Sequence, residues 1–128
     1  QPTARSNRRC LVVDDNQDSA ASMALILRTL GEEVQVAYDG LEAVQIAREY
    51  QPGLILLDIG LPKLHGYEAG RQIRRLPGGD EIVLVAVTGW GQQNDRARSK
   101  EAGFDHHLVK PLEMATVRAL VAQPQAVE

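Results

Sequence analysis

The sequence predicts a doubly wound α/β domain, a parallel sheet with helices on both faces, and three observations carry that prediction. Strand-like and helix-like periods alternate five times along the 128 residues. Three of the strand segments, Leu11-Val12-Val13, Leu54-Ile55-Leu56-Leu57 and residues 82–87, are unbroken apolar runs, as strands covered on both faces are. Polar residues with related chemistry end the strands: Asp14 and Asp15, Asp58, Thr88 and Lys110. In a parallel sheet those ends share one edge, where open α/β sheets bind ligands.

Each element follows in order. Residues 1–7 are polar and aperiodic and read as a linker, so the chain looks like a piece of something longer. Residues 8–122 form the domain. Cys10, the single cysteine, leads into the first strand and reads as a buried small hydrophobe, which excludes an internal disulfide. Ala20, Met23, Ala24, Leu27 and Leu30 mark one face of the first helix, and Gly31 suits a left-handed cap after it. Val34-Gln35-Val36 is mixed, as an edge strand would be. Ala43, Val44, Ala47 and Tyr50 give the second helix, broken by Pro52-Gly53. Residues 66–76 give the third, ended by Pro77-Gly78-Gly79; its Arg71, Arg74 and Arg75 read as a solvated face. Residues 94–102 form the fourth and least amphipathic helix, closed by Gly103. His106-His107-Leu108-Val109 is again mixed and belongs at an edge, residues 112–121 form the fifth helix, and 123–128 are a C-terminal tail. Right-handed crossovers then give strand order 2-1-3-4-5, the flavodoxin-like (βα)5 arrangement. Its switch point lies between strands 1 and 3, at Asp14, Asp15 and Asp58.

Composition excludes several function classes. With 44% hydrophobic but 4% aromatic residues, the chain supports one aliphatic core. A net charge of -3 argues against direct nucleic-acid binding, which needs clustered Lys and Arg. No apolar stretch approaches the ~20 residues of a membrane span, and no signal-peptide pattern opens the chain. A cytoplasmic domain without membrane contact is the expectation.

Three carboxylates, a hydroxyl and an ammonium at one edge suit a hard divalent cation and a phosphoryl group. Taken singly, Asp-Asp after a strand is commonly a helix cap, and a Thr or Lys at a strand end means little. Together they make a repulsive cluster that a cation would relieve. His106 and His107 do not form a metal pair, because neighbours on a strand point to opposite faces.

The strings Val12-Val13-Asp14-Asp15-Asn16, Leu56-Leu57-Asp58-Ile59-Gly60-Leu61-Pro62, Val87-Thr88-Gly89 and Leu108-Val109-Lys110-Pro111, in this order at four strand ends, resemble the receiver domain of two-component response regulators. The resemblance runs from Arg9 to about Val121. The longer strings Thr88-Gly89-Trp90-Gly91-Gln92 and Gly103-Phe104-Asp105-His106-His107 are most similar to receivers of bacterial hybrid sensor histidine kinases. The resemblance implies a phosphorelay switch that catalyses its own phosphotransfer and dephosphorylation. Asp58 accepts the phosphoryl group of a phosphohistidine, and Lys110 and Thr88 contact the phosphoryl oxygens. Asp15, Asp58 and the Gly60 carbonyl bind Mg2+ (or Mn2+), with Asp14 acting through water. Thr88 and His107 form the switch pair, with His107 in place of the family's usual Tyr or Phe. Gly60 and Trp90 stand at positions that tune the phosphoryl lifetime. His65 replaces the family's Asp before a Gly, which leaves the third helix without its usual cap.

The implied partner is a histidine kinase or a histidine phosphotransfer domain, and a homodimer would use the face of the fourth helix, fifth strand and fifth helix. A hybrid sensor histidine kinase is the expected context. The alternative is the regulatory domain of a response regulator whose output domain, such as a DNA-binding one, lies outside this chain. A flavodoxin-like cofactor binder is the remote alternative; the acidic switch point argues against it, because a flavin phosphate wants an amide-rich loop.

Overall fold

Five parallel strands lie in the order β2-β1-β3-β4-β5, the order that right-handed crossovers predict. The computed structural model describes residues 9–61, 63–89 and 100–122. The strands are β1 (Arg9–Val13), β2 (Glu33–Ala37), β3 (Leu54–Asp58), β4 (Val83–Thr88) and β5 (His106–Val109). Val13 stands opposite both Ala37 and Leu57, Asp58 opposite Val87, and Thr88 opposite Val109. This register brings Asp14, Asp58, Thr88 and Lys110 to one edge. The residues of β3 are all buried, whereas β2 and β5 are partly exposed, as their mixed composition requires at the sheet edges.

Helices α1 (Gln17–Thr29), α2 (Gly40–Tyr50), α3 (Gly66–Arg74) and α4 (Met114–Ala122) cover the two faces. Side chains within each apolar run alternate between two cores. Leu11, Val13, Ile55, Leu57, Leu84 and Ala86 pack with Ala43, Ala47, Tyr67 and Ile73 from α2 and α3. Cys10, Val12, Leu54, Leu56, Val85 and Val87 pack with Met23, Leu27, Val117 and Leu120 from α1 and α4. Cys10 is fully buried, as expected.

Helix starts follow from capping side chains. Asn16 Oδ1 accepts the Ser19 amide at 2.9 Å, and Asp39 Oδ1 accepts the Glu42 amide at 2.8 Å. Gly31 ends α1 at φ 93°, the left-handed cap the sequence suggests. α3 stops at Arg74, and Gly79–Glu81 form a short 3-10 turn instead of a continuation toward Leu76. β4 begins at Val83 and α4 at Met114, one and two residues later than their apolar patterns. The linker 1–7, the tail 123–128 and most of the helix expected at 94–102 lie outside the described residues.

The reading of Arg71, Arg74 and Arg75 as one solvated face is corrected at Arg74. Arg71 pairs with Glu68 at 3.3 Å and Arg75 is exposed. The Arg74 guanidinium is largely covered and donates to the carbonyls of Gly103 (2.8 Å), Gly79 (2.8 Å) and Ile82 (2.6 Å) and to Asp105 Oδ2 (2.7 Å). Asp105 Oδ2 also accepts the Leu84 amide at 2.9 Å. The fork therefore joins α3 to the starts of β4 and β5. The signal for this lay in helical spacing, since Arg74 follows the buried Gly70 by four residues and shares its inward face.

Candidate functional site

Asp14 extends β1 by one residue, its amide donating to the Ala37 carbonyl at 3.1 Å. This fixes its carboxylate at the sheet edge with no solvent exposure. Oδ1 accepts the Asn16 amide at 2.9 Å, and Oδ2 takes the Lys110 ammonium at 2.6 Å. Asp58, the last residue of β3, is 5% exposed. Its Oδ1 accepts the Gly60 amide at 3.0 Å and its Oδ2 the same ammonium at 3.2 Å. Asp15 is exposed, and one carboxylate oxygen from each of Asp14, Asp15 and Asp58 falls within 4.8 Å of the others.

Lys110 reaches this cluster from the far side of the sheet. Its amide donates to the Thr88 carbonyl at 2.8 Å, so the end of β5 is tied to the end of β4. The Lys110–Pro111 peptide is cis. Thr88, at the end of β4, is 2% exposed, and its Oγ1 lies 3.3 Å from His107 Nε2.

Burial and charge act differently on the two buried carboxylates. At Asp14, burial alone would raise the carboxyl, but hydrogen bonds from Lys110, Ser19 and the Asn16 amide outweigh it and hold the group below its ordinary value. At Asp58 burial prevails, aided by the Asp14 charge and opposed by the Gly60 amide and Lys110, so this carboxyl is pushed up. Burial opposes the charge of Lys110, yet its bond to Asp14 and the nearby Asp58 hold its ammonium above the usual lysine range.

One ammonium against three carboxylates leaves the cluster negative. Hard oxygen donors with surplus negative charge suit Mg2+, so the donor set fits that ion. Part of the relief that the cluster needs comes from the protein itself, because Lys110 pairs with two of the three carboxylates. The structure thus assembles Asp14, Asp15, Asp58 and Lys110, with Thr88 on the neighbouring strand end and Gly60 bonded to Asp58. Trp90 lies outside the described residues. The third helix does have a cap: His65 Nδ1 accepts the Tyr67 amide at 3.2 Å, so the imidazole does what a carboxylate would.

A family model, the response regulator receiver domain, matches residues 10–122. The chain belongs to that family. Among solved structures, the receiver domain of the sensor histidine kinase PA1611 from Pseudomonas aeruginosa, with a magnesium ion coordinated in its active-site cleft, superposes with a TM-score of 0.81 at 33% identity, covering 90% of this chain and 94% of that one. The receiver of the response regulator Ssk1 from Saccharomyces cerevisiae, in complex with the histidine phosphotransfer protein Ypd1, gives a TM-score of 0.77 at 28% identity over 90% of this chain and 86% of that one. The transcriptional regulatory protein PrrA of Mycobacterium leprae is 38% identical over 119 residues, 93% of this chain. The receiver spans about half the length of PrrA, 50%. No helix among the described residues is long and apolar enough to cross a membrane.

Proposed function

We propose that this receiver accepts a phosphoryl group from a phosphohistidine onto Asp58, holds it as an acyl phosphate, and returns to rest by hydrolysis. The observation that carries the reading is the single Lys110 ammonium bridging Asp14 at 2.6 Å and Asp58 at 3.2 Å beside a third carboxylate. A carboxylate oxygen of Asp58 attacks phosphorus as the P–N bond to the donor histidine breaks, and the histidine leaves with the bonding pair. The Gly60 amide fixes Asp58 Oδ1, which orients the carboxylate for attack. Lys110 is free to exchange its carboxylate partner for a phosphoryl oxygen, and Thr88 supplies a hydroxyl to another. Asp14, Asp15, Asp58 and the Gly60 carbonyl would hold Mg2+, or Mn2+ in its place, which neutralises the charge of the transferring group.

A histidine kinase or histidine phosphotransfer domain is the protein that would present such a phosphohistidine. A groove of about 350 Å³ opens beside Lys110, lined by Ser22, Met23, Ile26, Pro111 and Leu112, and offers an apolar seat next to the acceptor. Ypd1 bound to the Ssk1 receiver is the precedent for a phosphotransfer protein as partner. For the parent protein, PrrA, a transcriptional regulatory protein of which the match covers 50%, supports the response-regulator context over the hybrid kinase expected from the longer sequence strings. The receiver of PA1611 is the observation that favours the hybrid kinase as second reading.

Acetyl phosphate and Mg2+ should add one acid-stable, base-labile phosphate to the wild type and none to Asp58→Asn, read by intact mass. Equal labelling of the two would overturn the assignment. Sequencing the parent reading frame decides the context, with an output domain downstream supporting the first reading and a kinase core upstream the second.

A further inference from the structure

Close to the acidic cluster, but not part of it, the turn that follows β3 crosses the start of α2 with almost no space between them. A Cβ placed on Gly40 would overlap the Leu64 carbonyl oxygen and lie 2.7 Å from Leu64 Cβ. The contact is framed on both sides. Asp39, which caps α2 through Oδ1, turns its Oδ2 to Lys63 Nζ at 3.5 Å. Lys63 is left-handed at φ 69°, directly before the residue that meets Gly40. At the other end of the turn, the Gly66 amide donates to the Ile59 carbonyl at 3.0 Å, and a Cβ on Gly66 would lie 2.6 Å from Ile59 Cα and 2.9 Å from the Asp58 carbonyl oxygen. Gly60 and its bond to Asp58 lie between these two close approaches.

We propose that Gly40 is a positioning residue for the metal site: its bare backbone seats Leu64, and this fixes the turn that presents Gly60 to Asp58. The inference rests on the Mg2+ reading given above, and it concerns a residue on another helix that touches neither the ion nor the phosphoryl group. A methyl group at Gly40 has nowhere to go except against the Leu64 backbone, which must retreat. The retreat moves the segment carrying Gly60, so a change on α2 is felt as a misplaced carbonyl and a weakened amide bond at the phosphoacceptor. If Gly40 served only to begin α2, the same substitution would be harmless or favourable, because alanine forms helix more readily than glycine.

The experiment is a calorimetric titration of MgCl2 into the wild type, Gly40→Ala and Leu41→Ala, each shown to be folded, together with amide spectra of the metal-free proteins. Leu41 is 56% exposed and serves as the neighbouring control. Gly40→Ala should weaken Mg2+ binding by about tenfold, the lower end of what disturbing the support of a metal ligand does. It should also shift the Gly60 amide before any metal is added, while Leu41→Ala does neither. A folded Gly40→Ala with wild-type Mg2+ affinity overturns the proposal. If Gly40→Ala does not fold, Leu64→Gly takes its place: it removes the side chain that Gly40 abuts and should also weaken Mg2+ binding, and unchanged affinity there overturns the proposal equally. A wild type that shows no saturable Mg2+ binding overturns the metal reading itself, which separates that failure from a failure of Gly40.

Discussion

Two cations close the two ends of the sheet in opposite ways. At the N-terminal end, Arg74 places its donors on three carbonyls and on Asp105, so every group it touches is satisfied. At the C-terminal end, Lys110 is shared between Asp14 and Asp58, while Asp15 stands nearby with no share of it. The planar guanidinium suits a fixed, many-acceptor junction, and the flexible ammonium suits partners that will change. The difference teaches where the charges of this domain are met and where they are not: the balanced end fixes the strands, and the unbalanced end keeps the surplus negative charge on which the proposed Mg2+ and phosphoryl chemistry rests.

The balanced end should be the more sensitive. Arg74→Met takes the side-chain donor from the Gly103 and Ile82 carbonyls, while Asp105 keeps the Leu84 amide and Gly79 the Ile82 amide, and the loss should be about 3 kcal/mol by denaturant unfolding, since each buried unmet group counts for about 1–3 kcal/mol. Arg74→Lys should recover little, because an ammonium cannot fork to the same acceptors. Mg2+ should add no more stability to Arg74→Met than to the wild type. Retention of wild-type stability in Arg74→Met would break the comparison.

Lys110→Met sharpens it from the other side. With Asp14 and Asp58 buried and their shared cation gone, the metal-free protein should lose about 2 kcal/mol at neutral pH. Here Mg2+ should restore much of the loss, as it does not for Arg74→Met. Without Lys110 the Asp58 carboxyl, already pushed up by burial and by the Asp14 charge, loses a group that opposes that rise, so its ionisation works harder against folding; that penalty fades as the pH falls through the raised value toward 3.8. Thermal melts with and without Mg2+ across that range check both points, and a pH-independent gap between wild type and variant would contradict them.

Most of this architecture is legible in the sequence, because unbroken apolar runs, cap residues and crossover handedness are local or nearly local signals. Leu54-Ile55-Leu56-Leu57 declares a central strand, and Asp58 after it marks the sheet edge where the three carboxylates gather. Long-range pairing leaves no local signal, so the role of Lys110 as the partner of Asp14, 96 residues away, is not legible in the sequence. For Arg74, helical spacing points the side chain inward but does not name its acceptors, of which Gly103 and Asp105 lie about thirty residues on. The cap by His65 is not legible either, because a ring nitrogen is a rare substitute for a carboxylate at a helix start. The close contact between Gly40 and Leu64 has no signature beyond a glycine where alanine would make a better helix.

A smaller effect, and of opposite sign, is expected at Asp58. Its carboxyl is pushed up by burial and by Asp14, so in the metal-free protein its ionisation works against folding at every pH above its raised value. Asp58→Asn should therefore raise metal-free stability by about 1 kcal/mol at neutral pH, the size of gain commonly found when a functional charge is removed. The gain should shrink on acidification as the wild-type carboxyl takes up its proton. Asp14→Asn should act the other way, since Asp14 is held below its ordinary value and contributes stability that is complete above 3.8 and lost as the pH falls through its lowered value. Matching signs for the two variants in metal-free melts would show that burial and pairing do not divide between these carboxylates as the geometry says.

The smallest effect concerns the contact that joins the unbalanced end to the sheet edge. Thr88 Oγ1 lies 3.3 Å from His107 Nε2, so the hydroxyl already has a partner before any phosphoryl group arrives. When His107 Nε2 is the acceptor, Thr88 cannot donate to a phosphoryl oxygen without giving up the ring; when Nε2 carries the proton, the ring donates and the hydroxyl remains free to donate elsewhere. Binding a phosphoryl analogue should therefore change the ring's hydrogen bond, its tautomer or both, a local packing change of the kind that biases a two-state element. Beryllofluoride with Mg2+ should shift the His107 ring resonances in the wild type and leave them nearly unmoved in Thr88→Ala, where the hydroxyl that connects ring and site is absent. The stability difference between wild type and Thr88→Ala should stay near 1 kcal/mol, the net value of one such bond. Ring resonances that do not move in the wild type would show that the site and the edge strand are not coupled through this pair.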